Sequence, residues 1–201
     1  MKSNILNPYV KGLTEYAEMS MHLDADITGT PSVEPDVGMF LEHFAFASKP
    51  KTILELGCGI GVSTRYISRG APDAHITALD LNDKRLDMAR DNCEGLNVTF
   101  KKCDVIEHLK NDKNKYDMIF VDSMKKQYPI VFHYAFNMLN EGGTIIFDDM
   151  FVYGEIFCAD CEIPPKYLPL VKTLRNFIQY IKHSYRHSFI TIGGGVMLVG
   201  K

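Results

Sequence analysis

The 201-residue sequence predicts an α/β fold built on a doubly wound, mostly parallel sheet of seven strands. Three observations predict it. From Lys51 onward, apolar runs of strand length alternate five times with segments of helical spacing. The first run, TILEL, closes on a glycine-rich turn, the join of a strand that hands over to a helix. The chain also ends on two β-like runs, SFITIG and GVMLVGK, joined by glycines; these predict an antiparallel closing strand at one sheet edge.

Each element has its own signal. VSTRYISR follows the first strand with apolar residues at helical spacing, and HITALDL is the next strand. DKRLDMARDNC reads as a helix whose first turn holds Asp83, where a carboxylate favours the positive end of the helix dipole. NVTFKKC is a strand, DVIEHLKN a short helix and YDMIFVD the fourth strand. YPIVFHYAFNML is a helix, ended by a Glu-Gly-Gly turn before the strand TIIFDD. A further helix is predicted over about 168–181. The first 50 residues look helical around a loop at TGTPSVEPD and predict a cap beside the sheet. The whole chain, 1–201, reads as one domain: a cap over 1–50, and the sheet with its site over 51–201.

Composition narrows the function. Apolar residues make up 46% and charged residues 23%, a globular balance that excludes disorder. No apolar run reaches the length of a membrane span, and MKSNILNPYVKG lacks a signal-peptide core, so a cytoplasmic protein is expected. Five cysteines, three of them inside strongly patterned segments, read as reduced thiols, and the single CADC pair at Cys158 and Cys161 as an ordinary loop. The formal charge of −3 is uneven, because no acid follows Glu162 while Lys166, Lys172, Arg175, Lys182, Arg186 and Lys201 do. The overall charge excludes a general nucleic-acid binder but leaves a local anionic partner open.

Glu55-Leu-Gly57-Cys-Gly59-Ile-Gly61 follows the first strand and opens a helix. Glycines let the backbone turn tightly and approach a ligand, and a helix N-terminus offers free N–H groups. A dinucleotide loop of GxGxxG form needs glycine at position 62, where Val62 stands. Asp80 ends the second strand, where a carboxylate can accept two ribose hydroxyls. Two later strand ends are acidic: Asp122, and the pair Asp148 and Asp149. Adjacent parallel strands open into one crevice, where these carboxylates can converge and where a hard cation would offset their repulsion.

The pattern ELGCGIGVST…ALDLN resembles motif I and its following acid in class I S-adenosylmethionine-dependent methyltransferases. DSMKKQY resembles the D-x-x-K-x-x-Y signature of the metal-dependent O-methyltransferases, the group of catechol and caffeoyl-CoA O-methyltransferases and their bacterial relatives. That resemblance implies a Rossmann-like fold, S-adenosylmethionine, and a divalent cation: Mg²⁺, with Mn²⁺ or Ca²⁺ as alternatives. On the cofactor it implies Glu55, the Gly57, Gly59 and Gly61 loop, Ser63 and Val33 toward the methionine end, Asp80 at the ribose and Asp104 near the adenine, with Asp122 bordering cofactor and metal. Asp122, Asp148 and Asp149 match the metal ligands, and Lys125 matches the catalytic lysine, with Lys126 its unmatched neighbour. Two positions depart from the pattern: Asp149 stands where asparagine is usual, and Gly194, in IGGG, where relatives often carry an acid.

Methyl transfer to oxygen needs a deprotonated acceptor held in line. Lys125 is the expected base, provided that burial or a nearby cation lowers its pKa from ~10.4. The expected acceptor is a catechol-like or otherwise vicinally oxygenated small molecule, with 5-hydroxyuridine of tRNA as the alternative. The tRNA reading draws on VKTLRNFIQYIK, where Val171, Leu174, Phe177, Ile178 and Ile181 form one face and Lys172, Arg175, Gln179 and Lys182 the other. A nicotinamide-dependent oxidoreductase and a noncatalytic cofactor-binding module are the rivals outside this class. A homodimer is implied by the resemblance alone.

Overall fold

A computed structural model describes residues 19–201. The part of the expected cap that falls on residues 1–18 lies outside the described residues. The cap is represented by α1 (Met19–Thr28) and α2 (Pro35–Ser48). Pro35, in the first turn of α2, loses nothing by lacking an N–H there. The helix stops at Lys49, which takes a left-handed conformation (φ 51°) ahead of Pro50.

The alternation that follows is β1 (Thr52–Leu56), α3 (Val62–Gly70), β2 (His75–Asp80), α4 (Asp83–Asn92), β3 (Val98–Lys102), α5 (Val105–Asn111), β4 (Tyr116–Val121), α6 (Tyr128–Met138) and β5 (Leu139–Phe147). Asn82 caps α4 by accepting from the backbone N–H groups of Lys84 and Arg85, and Asp104 caps α5 in the same way. The Glu-Gly-Gly turn lies inside β5, at a bulge between its pairings with Tyr116 and Met118, where Gly142 has φ 79°. α7 (Leu168–Ser184) runs three residues further than the sequence predicts.

Two strands close the sheet, β6 (Arg186–Ile190) and β7 (Val196–Gly200), and the strand order is β3-β2-β1-β4-β5-β7-β6. β7 pairs antiparallel with both β5 and β6, so it alone runs against the rest, as the glycine-joined pair predicts.

Alternation along each strand builds two cores. Ile53, Met118, Phe120 and Ile146 face α2, α3 and α4; Leu54, Leu56, Ile119, Val121 and Phe147 face α5, α6 and α7. Helices on both faces leave the carboxyl ends of β1, β2 and β4 open to solvent, and order reversal at β1/β4 places a crevice there. Among the described residues, no helix is long and apolar enough to cross a membrane.

Candidate active site

The crevice is a cavity of about 350 Å³ lined by Gly57, Gly59, Asp80, Arg85, Asp104, Asp122 and Lys125 among others. It brings the glycine loop together with the first of the later acids and the lysine.

Backbone hydrogen bonds shape the loop. Gly57 and Cys58 both donate to the Leu79 carbonyl at 2.9 Å, and Gly59 donates to Asp80 Oδ2 at 3.0 Å. Gly57 has φ 98°, and a Cβ there would lie 2.1 Å from the Asp122 carbonyl, so both conformation and space demand glycine. Gly61, at φ 90°, caps α3 and packs on Cys93. Asp80 Oδ1 accepts from the Asn82 N–H at 2.8 Å, so the protein itself orients this carboxylate.

Glu55 is wholly buried on β1. Its two oxygens accept from Ser63 Oγ at 2.5 Å and Thr64 Oγ1 at 2.6 Å. Burial pushes its carboxyl up to about 7; the two hydroxyls pull it down, and Asp122 and Asp80 push it up further. Ser63, expected at the methionine end, thus has its hydroxyl proton directed to Glu55. Val33 is buried ahead of α2, in the core shared with Ile60 and Val62. Asp104 lines the cleft while its Oδ1 caps α5.

The acids sit at neighbouring strand ends, as expected. The Asp122 N–H donates to Leu56 O and the Asp148 N–H to Val121 O, each at 3.0 Å, which carries the sheet register into the site. Asp148 is buried; burial, then Asp122 and Asp149, push its carboxyl up to about 8. Asp122 is raised to about 6 by burial, with Lys125 opposing and Asp149 adding to the rise. Asp149, at φ 55°, turns its carboxylate to Lys125, with Nζ 2.8 Å from Oδ2; Asp122 Oδ1 lies 3.9 Å from the same nitrogen.

Burial lowers the Lys125 pKa, but Asp149 and the other acids outweigh it and the net shift is upward. The lowered lysine that the sequence reading requires is therefore not present in this arrangement. Among the described residues, no three His, Cys, Asp or Glu side chains are grouped so as to hold a metal ion. The cation seated between Asp149 and Asp122 is the ammonium of Lys125.

Sequence reasoning left the last residue of D-x-x-K-x-x-Y unexplained. Tyr128 is fully buried at the start of α6 and donates its hydroxyl to the Asp148 carbonyl at 3.0 Å, fastening the end of β5 to the lysine turn. Arg85 and Pro31 also line the cleft, and nothing in their local sequence marks them.

The α7 polar face is already engaged. Arg175 bonds the Ile156 and Cys158 carbonyls and Asp160, and Lys172 lies 3.3 Å from Asp160, so two of its three cations bind the loop before α7. Cys158 and Cys161 are free thiols in and beside that loop.

A family model described as O-methyltransferase matches residues 7–201. The chain belongs to the O-methyltransferase family. It is an S-adenosylmethionine-dependent O-methyltransferase, and the nicotinamide reading is set aside.

A catechol O-methyltransferase of Niastella koreensis is 29% identical over 142 residues, 66% of this chain; the match spans 64% of that enzyme's length. Tapetum-specific methyltransferase 1 of Arabidopsis thaliana is 23% identical across 98% of the chain and 94% of its own. Among solved structures, an O-methyltransferase from Bacillus cereus in complex with SAH superposes with TM-score 0.79 at 26% identity, covering 98% of this chain and 97% of that one. The O-methyltransferase TomG from Streptomyces achromogenes, in complex with SAM, shares the fold at TM-score 0.81 and 20% identity, covering 98% and 96%.

Proposed function

We propose that this O-methyltransferase methylates a hydroxyl of a catechol-like or otherwise vicinally oxygenated small molecule. The observation that carries the reading is the shared cleft: the glycine loop, Asp80 and Asp104 line the same cavity as Asp122 and Lys125. The Niastella relative, a catechol O-methyltransferase, supports the same acceptor class. In this reading Asp80 accepts the ribose hydroxyls, Asp104 borders the adenine, and the glycine loop, Glu55, Ser63 and Val33 shape the methionine end.

The acidic strand ends suit a hard divalent cation in donor chemistry, since all are carboxylates and Mg²⁺ takes one or two of them plus waters and substrate oxygens. Asp122 and Asp148 would hold it, and Asp149 would join them by leaving Lys125. Once bound, the cation supplies a Lewis acid that lowers the pKa of the acceptor hydroxyl. Lys125 Nζ would take the hydroxyl proton. It starts as an ammonium, so it must first release its own; burial favours that loss and the acids oppose it.

The test is methyl transfer to a catechol, followed by mass spectrometry, in Lys125→Ala and Lys126→Ala proteins. Lys126 is exposed and serves as the control. Lys125→Ala should lower kcat by ~10²–10⁴-fold with cofactor affinity retained, while Lys126→Ala stays near wild type. A chelator should abolish wild-type turnover and Mg²⁺ or Mn²⁺ restore it. Equal losses at both lysines, or a Lys125 defect confined to KM, would overturn the base assignment; full turnover in excess chelator would overturn the metal.

A further inference from the structure

The loop that joins β6 to β7 carries Gly193, Gly194 and Gly195. Gly193 (φ 48°) and Gly195 (φ 91°) occupy the left-handed region, where glycine is favoured on conformational grounds. Gly194 does not, so its backbone would accept other residues. Space is what opposes them while the Asp149 carboxylate holds this position. A Cβ at 194 would lie 1.9 Å from Asp149 Oδ1 and 3.0 Å from Asp149 Cγ. The two segments are fastened on either side of this contact, because Met150 N donates to Gly195 O at 2.8 Å and Phe151 N to Gly194 O at 2.9 Å. Neither backbone can withdraw without breaking that pairing.

The other oxygen of the same carboxylate, Asp149 Oδ2, holds Lys125 Nζ at 2.8 Å. Asp149 reaches this position from a left-handed backbone (φ 55°) that residues other than glycine seldom adopt. The two departures from the sequence pattern, Asp149 and Gly194, are thus in contact with each other.

We infer that Asp149 is the positioning residue for Lys125 in the metal-free protein, before a cation draws the carboxylate away, and that Gly194 lacks a side chain because the Asp149 carboxylate fills that space while it grips the lysine. The inference rests on the proposed role of Lys125 in the methyl-transfer site. It gives Asp149 a function in setting the lysine's location that a carboxylate merely facing solvent would not have. Any side chain at 194 should act on Lys125 at second hand, by displacing Asp149.

The test reads Lys125 directly and needs neither acceptor nor turnover. Metal-free protein is treated with limiting acetic anhydride, and the acetylation rates of Lys125 and Lys126 are measured by peptide mass spectrometry, with a thermal melt confirming that each variant is folded. In Gly194→Ala, acetylation of Lys125 should rise several-fold as the lysine leaves its ion pair, while Lys126 is unchanged. Asp149→Asn, which keeps the shape and removes the charge, should give the same rise without any change at 194. In an Asp149→Ala background, adding Gly194→Ala should have no further effect on Lys125, because the displaced group is already gone. Independent, additive effects of the two substitutions would overturn the inference. So would a Lys125 in Asp149→Asn that reacts as slowly as in wild type. Should these rates behave as expected while Lys125→Ala leaves catechol turnover intact, the base assignment fails and the positioning contact stands.

Discussion

Glu55 joins strand, burial and glycine loop at one carboxyl, through its bonds to Ser63 and Thr64. Its wholly buried carboxyl is raised to about 7, so the folded chain holds a proton there that an unfolded chain releases near 4.5. This group's contribution to stability is therefore complete below about 4.5 and is lost as pH climbs through about 7. Thermal melts of wild type and Glu55→Gln across pH 4 to 8 should diverge on the alkaline side: both lose stability through Asp122 and Asp148, and wild type loses more because Glu55 adds its own loss. Parallel pH profiles would show that Glu55 is not the group responsible. The glycine loop beside it was legible because its constraints are local: a turn, a left-handed φ and a helix start leave a mark in sequence. Tyr128 is marked by the D-x-x-K-x-x-Y signature but its role is not, since its partner is a carbonyl twenty residues away, and Arg85 is defined only by the cleft it borders.

At the scale of elements, the periodicity of α7 correctly separates its two faces. Val171, Leu174, Phe177 and Ile181 are buried, with Ile178 packed against the same core. What the polar face does could not be read from its spacing. Arg175 bridges from α7 to the Ile156 and Cys158 carbonyls and to Asp160, binding the segment that follows the acids of β5. Asp160 is lowered by hydrogen bonds from Lys172 and Arg175, which fits two cations directed inward to the chain and not outward to a phosphate. Arg175→Ala should raise amide hydrogen exchange over residues 155–160, with exchange in β1 and β4 unchanged. Unaltered exchange in that loop would return the α7 cations to solvent or to an anionic partner.

The molecule as a whole is a sheet with a core on each face, and the cleft lined by the glycine loop opens at one end of it. A ligand seated against β1, β2 and β4 restrains both layers and binds the folded chain alone. S-adenosylmethionine at about a hundredfold over its Kd should stabilise the protein by ~2.7 kcal/mol and raise Tm by roughly 5–10 °C for a chain of this size. NADH at the same concentration should leave Tm where it was. The reverse result would contradict the reading of the glycine loop.

The fold class, the order of elements and the location of the cleft were determined by sequence alone, because alternation, glycine turns and strand-end acids are patterns of near neighbours. Three features required the tertiary structure: the Lys125 ion pair with Asp149, the space that Asp149 takes from Gly194, and the net upward shift of the lysine's pKa. Each depends on distances between strand ends and loops far apart in the chain, and on how burial and opposing charges balance at one nitrogen. No local pattern encodes that balance.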